Sequence, residues 1–224
     1  MNHISIAIDG PAGAGKSTIA RALAARNGWL YVDTGAIYRT VGLFARRKGV
    51  DPSREEQVIP LLEGLDIAMQ VESDGVQHMY LNGEDVTSAI RAPEIAMYAS
   101  SVSAHAAVRS YLLEMQRAMA RTRDVVMDGR DIGTVVLPHA TVKIFLTASA
   151  EIRARRRWLE QQQKGSGQSY EDVLSDVKRR DEQDMNRAVA PLRQAEDAVL
   201  ADTSDLDFEQ SVALLEDIIK EHLS

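Results

Sequence analysis

The sequence has no cysteine among its 224 residues. That absence excludes disulfides, thiolate catalysis, iron–sulfur clusters and zinc sites built on cysteine. Aromatic residues are also scarce, at 5% of the chain, and none is interleaved with basic residues as in proteins that stack nucleic-acid bases. The function must therefore depend on oxygen and nitrogen groups held by an ordinary globular core.

Long apolar runs and positive net charge are missing as well. No run approaches the roughly 18 residues of a membrane span, and "MNHISIAIDG" has no charged segment followed by an apolar one. A net charge of -7 disfavours general binding to nucleic acid or to membrane surfaces. We therefore expect a cytoplasmic protein with no membrane and no nucleic-acid partner, in which anionic ligands are held locally.

Short apolar runs rich in β-branched residues alternate with helical patterns. The runs lie at 4–8, 29–32, 124–128, 141–146 and 198–202. Helical patterns lie at 16–27, 35–48, 54–64, 93–122, 150–164, 170–186 and 207–222. This alternation predicts an α/β fold with a doubly wound, parallel, five-stranded sheet.

Two segments interrupt the alternation. Residues 66–86 show period-two stretches joined by "ESDG" and a hairpin signal at Asn82-Gly83, which predicts a small antiparallel β insert. Residues 150–186 read as two helices around "KGSGQ", which predicts a two-helix lid with a flexible tip. We predict one domain with its core at 1–64, 123–148 and 187–224, the insert at about 65–122 and the lid at about 149–186.

The stretch from Gly10 to Ser17 reads G-x-x-x-x-G-K-S between a predicted strand and a predicted helix. In that context glycines let backbone N–H groups surround phosphates, Lys16 reaches the outer phosphates, and the Ser17 hydroxyl can hold Mg²⁺. A nucleoside triphosphate with Mg²⁺ is the expected ligand. The predicted ATP-binding residues of this loop are Gly10, Pro11, Ala12, Gly13, Ala14, Gly15, Lys16, Ser17 and Thr18.

Asp33 and Arg39 follow the second predicted strand in "YVDTGAIYR". A carboxylate at this sheet edge could hold Mg²⁺ through water beside Ser17, and Arg39 could bind a second phosphate. The alternatives are that Asp33 caps the next helix and that Arg39 is a solvated charge.

A second strand ends in "VVMDGRDIGTVV", where Arg130 and Asp131 emerge side by side after Asp128. A surface ion pair would explain them equally well in isolation. Two strand ends that both carry Asp and Arg at one sheet edge favour a binding site.

Three arginines of "EIRARRRW" stand at i, i+3 and i+4: Arg153, Arg156 and Arg157. This spacing places them on one face of a helix. Taken alone, the pattern is typical of a solvated basic stripe or a nucleic-acid patch. Beside a phosphate loop, it predicts a lid that closes over ATP.

Five motifs occur in a fixed order: "GPAGAGKST", "DTGAIYR", "DGRDIGTVV", "KIFLTAS" and "DMNRAVAPL". In this order and spacing they closely resemble the bacterial cytidylate kinases, which belong to the nucleoside monophosphate kinases. The resemblance covers nearly the whole chain. It implies Mg²⁺-dependent transfer of the ATP γ-phosphoryl group to CMP or dCMP, ATP and CMP or dCMP as the small-molecule partners, and a monomer.

The resemblance also implies roles for individual residues. Those that read cytosine would be Thr34, Ser100, Arg109 and Asp131. The CMP phosphate would be bound by Arg39, Arg130 and Arg187, and the ribose by Arg180 and Asp184. Lys16, Asp33 and Arg130 are the predicted catalytic residues, and Arg153, Arg156 and Arg157 would contact ATP.

The chemistry of cytosine agrees with a carboxylate and an arginine as readers. Its amino group donates to a carboxylate, whereas its N3 and O2 accept from an arginine. Phosphoryl transfer needs positioning and charge neutralisation, so we expect no covalent nucleophile.

Three other functions are compatible with a phosphate loop. The chain could be a P-loop kinase for another acceptor, such as UMP, shikimate or gluconate. It could be a GTP-dependent switch, although the N-K-x-D motif that reads guanine is missing. It could also bind nucleic acid through the arginine-rich helix, which its acidic balance disfavours.

Overall fold

The computed structural model describes residues 3–71, 77–163, 165 and 167–223. The chain divides into two compact units, Met1–Tyr31 with Thr122–Ser224 and Val32–Arg121. The predicted "ESDG" connection lies outside the described residues, as do two positions of the predicted lid tip, 164 and 166.

Eight strands and eight α-helices are numbered along the described chain. The strands are β1 Ser5–Asp9, β2 Leu30–Asp33, β3 Ile67–Val71, β4 Gln77–Leu81, β5 Glu84–Asp85, β6 Val125–Gly129, β7 Val142–Thr147 and β8 Val199–Asp202. The α-helices are α1 Lys16–Asn27, α2 Thr34–Arg47, α3 Glu55–Val58, α4 Pro93–Val102, α5 Ala106–Thr122, α6 Ala150–Gln163, α7 Tyr170–Asn186 and α8 Phe208–Leu223.

The first unit is built on a five-stranded parallel sheet in the order β2-β6-β1-β7-β8. β1 pairs in parallel with both β6 and β7, so its carboxyl end lies between two other strand ends. Ile6, Ile8 and Ile144 are fully buried on this sheet, and Leu23 of α1 and Leu215 of α8 pack into the same core. The predicted doubly wound α/β class is confirmed.

The second unit contains the predicted antiparallel insert, a three-stranded sheet in the order β3-β4-β5. Asn82 and Gly83 connect β4 to β5 with φ of 50° and 83°. Positive φ at both central residues is the geometry of the tight hairpin turn that the Asn-Gly pair predicts. In the same unit α2 packs closely on α4, because Gly42 has no Cβ to meet the Ala99 backbone nitrogen.

Two predicted helices have different bounds in the structure. The continuous helix predicted at 93–122 is wrong: α4 ends at Val102 and α5 starts at Ala106. Ser103 donates its hydroxyl to the Ser100 carbonyl at 2.8 Å, and such local bonds compete with the helix. The helix predicted at 54–64 is α only over Glu55–Val58 and continues as a 3₁₀ helix at Ile59–Gly64, since Pro60 has no N–H to donate.

None of the helices within the described residues is long and apolar enough to cross a membrane.

Candidate active site

The predicted phosphate loop connects β1 to α1 through three glycines with positive φ: Gly10 at 149°, Gly13 at 79° and Gly15 at 91°. Gly10 is also required for space, because a Cβ there would lie 1.9 Å from the carbonyl oxygen of Leu146 on β7. The loop therefore follows a path that other residues cannot take, and it opens a helix whose first N–H groups favour anions.

Lys16 is the first residue of α1 and is 5% exposed. Its Nζ donates to the Pro11 carbonyl at 2.7 Å, so the side chain curls back over the loop. Burial lowers the Lys16 pKa well below its usual value, and the nearby charge of Arg130 lowers it further. Asp128, Asp9 and Asp184 act in the opposite direction. An anionic phosphate near this ammonium would favour its charged form.

Ser17 and Asp128 meet at the carboxyl end of β6. The Ser17 hydroxyl donates to Asp128 Oδ2 at 2.8 Å, and the Tyr31 hydroxyl donates to Asp128 Oδ1 at 3.0 Å. A hydroxyl beside a carboxylate is an oxygen donor set that suits Mg²⁺. Among the described residues there is no group of three or more His, Cys, Asp or Glu side chains able to hold a metal ion. Ser17 and Asp128 offer two oxygen ligands, and Mg²⁺ bound there would take its remaining ligands from water and phosphate oxygens.

Asp9 closes β1 immediately before the phosphate loop and is 5% exposed. Its Oδ1 accepts from the Ile132 N–H and its Oδ2 from the Gly133 N–H, both at 2.7 Å. These bonds hold the first turn of a π-helix, Ile132–Val136, that directly follows Arg130 and Asp131. Burial raises the Asp9 pKa to about 6, although the two N–H bonds lower it.

Arg130 and Asp184 form an ion pair that links the end of β6 to α7. Arg130 Nε donates to Asp184 Oδ2 at 2.8 Å. Burial alone would raise the Asp184 pKa, but the charge and hydrogen bond of Arg130 outweigh burial and lower it, aided by Arg180 and Arg187. Arg187 Nη2 also lies 3.6 Å from Asp131 Oδ1. The structure thus brings together the five predicted CMP-binding residues of the first unit.

Arg153 of α6 is 5% exposed and forms several hydrogen bonds. It donates to the Ala148 carbonyl at 2.8 Å and to the Ala12 carbonyl of the phosphate loop at 3.0 Å. Its guanidinium also pairs with both oxygens of Asp181 on α7, at 3.0 and 2.6 Å. Arg153 therefore ties the phosphate loop to both predicted lid helices.

Arg156 has different partners. Its Nη2 donates to the Thr203 carbonyl at 2.8 Å and the Leu206 carbonyl at 3.4 Å, between β8 and α8. Arg157 is half-buried. The prediction that these two arginines contact ATP stays a prediction.

In the second unit, Asp33 caps α2. Its Oδ1 accepts from the Ala36 N–H at 2.9 Å, and its Oδ2 accepts from Arg39 Nη2 at 2.7 Å. Arg91 lies at the same carboxylate, 4.0 Å away. The cap that the sequence left open as an alternative is therefore formed, and the Mg²⁺ role of Asp33 through water stays a prediction. Thr34, the first residue of α2, is buried.

Arg109 of α5 is 8% exposed in the second unit. Its guanidinium lies over the Tyr38 ring, 5.3 Å from the centroid, and Nη1 donates to the Ser103 carbonyl at 2.9 Å. Ser100 lies on α4, where its carbonyl accepts from the Ser103 hydroxyl. Arg109 is thus fixed by one ring and by the break between α4 and α5.

Sequence reasoning missed Asp9 and Asp128 as members of the site. Both end strands that neighbour each other in the sheet, and both bind groups next to predicted site residues. The available signal was the position of an Asp at the end of a buried strand, which the sequence analysis used for Asp33 but not for these two.

A parallel sheet whose first strand leads through G-x-x-x-x-G-K-S into a helix defines the class of P-loop nucleotide-binding proteins. The fold is shared with a solved structure, an uncharacterized protein from Eubacterium ventriosum ATCC 27560. Its TM-score is 0.52 at 13% sequence identity, with 97% of this chain and 99% of that chain covered.

Comparison with related sequences identifies the family within the class of P-loop nucleotide-binding proteins. The family model for cytidylate kinase matches residues 6–221. A cytidylate kinase of Caldicellulosiruptor bescii is 50% identical over 94% of this chain and 92% of its own length. One of Geobacter sulfurreducens is 49% identical over 96% of this chain and 92% of its own. The chain belongs to the cytidylate kinase family.

Proposed function

We propose that this chain transfers the γ-phosphoryl group of ATP to CMP or dCMP and releases ADP with CDP or dCDP. The observation that carries the proposal is a complete phosphate loop, with Lys16 buried over it, in a chain matched by the family over residues 6–221. An oxygen of the CMP phosphate attacks the γ-phosphorus while the bond to the ADP oxygen breaks. The attacking phosphate is already an anion, so no covalent intermediate and no obligatory general base is needed.

The phosphate loop would bind ATP. Its backbone N–H groups and Lys16 face the phosphates, and Arg153 stabilises the loop through the Ala12 carbonyl. Ser17 and Asp128 would hold Mg²⁺, with Asp33 contributing through water as the sequence predicts. The ion would neutralise charge on the β- and γ-phosphate oxygens.

The predicted acceptor residues would bind CMP with complementary charges. Arg39, Arg130 and Arg187 offer guanidinium groups for the phosphate. Asp184, whose pKa is lowered by Arg130, stays ionised and can accept from ribose hydroxyls, with Arg180 beside it. Thr34, Ser100, Arg109 and Asp131 are the proposed readers of cytosine. A buried Asp131 carboxylate accepts the cytosine amino group but would oppose the uracil oxygen at the same position.

A coupled assay of ADP release with Mg·ATP tests the reaction. CMP, dCMP, UMP, AMP, GMP, shikimate and gluconate are compared as acceptors. Highest kcat/KM with CMP and dCMP is expected, whereas a preference for another acceptor, or ATP hydrolysis that needs no acceptor, would reject the proposal. Lys16→Ala should lose most turnover and keep its fold, and exposed Lys220→Ala is the control for removing a lysine.

Asp131→Asn tests the reading of cytosine. The amide can donate to uracil, so we expect the preference for CMP over UMP to fall by about tenfold or more. Exposed Asp205→Asn is the matched control. Unchanged preference in Asp131→Asn would show that Asp131 does not read the base.

A further inference from the structure

We propose that Asp9 is a positioning residue that holds the segment carrying Arg130 and Asp131 in register with the phosphate loop. The proposal rests on the proposed function, because it assigns Asp9 a role in how CMP is recognised. Asp9 would not touch CMP or the reacting phosphates. It would act through the backbone of Ile132 and Gly133.

The two hydrogen bonds are the first argument. Each carboxylate oxygen of Asp9 accepts one backbone N–H at 2.7 Å, a short distance typical of charge-assisted bonds. Ile132 and Gly133 begin a π-helix, and the first N–H groups of a helix have no acceptor within it. One side chain, that of Asp9, accepts from both of these N–H groups.

The second argument is position. β1 lies between β6 and β7, so the Asp9 backbone is fixed on both sides by the pairs Asp9↔Gly129 and Asp9↔Phe145. Gly10, the first residue of the phosphate loop, follows directly. Asp9 is thus linked through its backbone to the phosphate loop and through its side chain to the segment after Asp131.

The third argument is the fit around Gly133. A Cβ at this glycine would lie 3.4 Å from Asp9 Oδ2 and 3.1 Å from Lys143 Cδ. Lys143, itself buried, donates to the Pro138 carbonyl at 2.6 Å and pairs with Asp197. The segment after Asp131 is therefore held close to β1 and β7 at both of its ends, and a Cβ at position 133 would press on the Lys143 side chain.

A buried charge is a costly way to fill a core position. An uncharged group that packs equally well would stabilise the protein more, because desolvation of a carboxylate opposes folding. The carboxylate does what an apolar group cannot: it accepts a hydrogen bond from each of two consecutive backbone N–H groups. That geometry orients the backbone one residue beyond Asp131, whose own carbonyl accepts from the N–H groups of Val135 and Val136.

The test uses Asp9→Asn, with Asp124→Asn as the matched control. Asp124 also accepts a backbone N–H, from Ile4 at 2.7 Å, but at the opposite end of β1. In Asp9→Asn the amide oxygen keeps one N–H partner and the NH₂ group opposes the other. We expect kcat/KM for CMP to fall about tenfold or more and the ratio of CMP to UMP to fall with it, while KM for ATP changes much less. We also expect faster hydrogen exchange at Ile132 and Gly133.

Two results would overturn the proposal. One is faster exchange at Ile132 and Gly133 with an unchanged ratio of CMP to UMP, which would make the bonds structural only. The other is an equal loss for CMP, UMP and ATP, which would mean general damage. If Asp9→Asn does not fold, Asp9→Glu keeps the charge but carries the carboxylate one methylene further along the side chain, and the same loss of selectivity is expected. A wild-type enzyme that does not prefer CMP to UMP would instead reject the proposed function.

Discussion

The Asp9 carboxyl group is buried, and burial of its charge lowers the free energy of unfolding by a measurable amount. Its pKa is about 6 in the folded protein against an ordinary value of 3.8, because burial outweighs its two N–H bonds. The folded protein therefore holds this proton more tightly than the unfolded chain does. The stability that this adds is fully present below pH 3.8 and is lost as the pH rises through about 6.

We predict that this loss disappears when the carboxyl group is replaced. Between pH 4.5 and 7.5, the unfolding free energy of the wild type should fall relative to that of Asp9→Asn by about 2 kcal/mol. Urea unfolding at several pH values measures the difference. A constant difference between wild type and Asp9→Asn over this pH range would contradict the prediction.

Tyr38 is a second residue for which substitutions can separate the contribution of the aromatic ring from that of side-chain size. Its ring lies under the Arg109 guanidinium, and such contacts are worth about 0.5–2 kcal/mol. Tyr38→Leu should therefore raise KM for CMP several-fold, whereas Tyr38→Phe keeps the ring and should change it little. Steady-state kinetics of both variants measures the change in KM for CMP. An equal rise in KM for CMP in both variants would assign the effect to the tyrosine hydroxyl instead.

The elements of the fold were predictable where the sequence pattern was local. The five strands of the parallel sheet, the P-loop and the Asn-Gly hairpin all come from patterns of a few residues, and the structure contains them. The break between α4 and α5 was not predictable, since it depends on Ser103 bonding to a carbonyl rather than continuing the helix. The π-helix after Asp131 was missed for a different reason: its acceptor, Asp9, is more than a hundred residues away in sequence.

The same distinction between local patterns and contacts of distant residues applies to the predicted site. Arg130 and Asp131 were predicted from a strand end, and Asp184 from the family resemblance. The structure places these three side chains close together within the first unit, and their roles stay predictions. The hydrogen-bond partners of the site residues were not predicted from the sequence. Helical spacing placed Arg153 and Arg156 on one face, yet spacing alone does not tell which carbonyl each side chain reaches.

Arg153 gives a prediction about α6 as an element. Removing its guanidinium leaves Asp181, which is mostly buried, without its partner and the Ala12 carbonyl without a donor. We expect Arg153→Met to lower the unfolding free energy by about 3 kcal/mol and to raise KM for ATP more than KM for CMP. Arg155→Met is the control, because Arg155 is exposed on the same helix. Similar effects of the two substitutions would contradict the assignment.

For the whole molecule, the net charge of -7 opposes the binding of anionic nucleotides. Binding must therefore come from local positive groups, and it should stabilise the folded chain by mass action. ATP at a hundred times its Kd should add about 2.7 kcal/mol to the unfolding free energy.

Thermal unfolding with and without ATP measures this gain. The wild type and Lys220→Ala should both be stabilised, whereas Lys16→Ala should unfold normally without ATP and gain little from it. A full gain in Lys16→Ala would place the triphosphate elsewhere than on the phosphate loop.

The contact between Gly10 and the Leu146 carbonyl also has a genetic consequence. Every amino acid other than glycine carries a Cβ, so every missense change of the Gly10 codon puts a carbon atom 1.9 Å from that oxygen unless the backbone shifts. Alanine already introduces this close contact, so even the smallest replacement of Gly10 disturbs the phosphate loop or β7. Descendants of this gene can change at Gly10 only if β7 shifts in the same lineage, and a scan of all codons should find every replacement at this position poorly tolerated, alanine included.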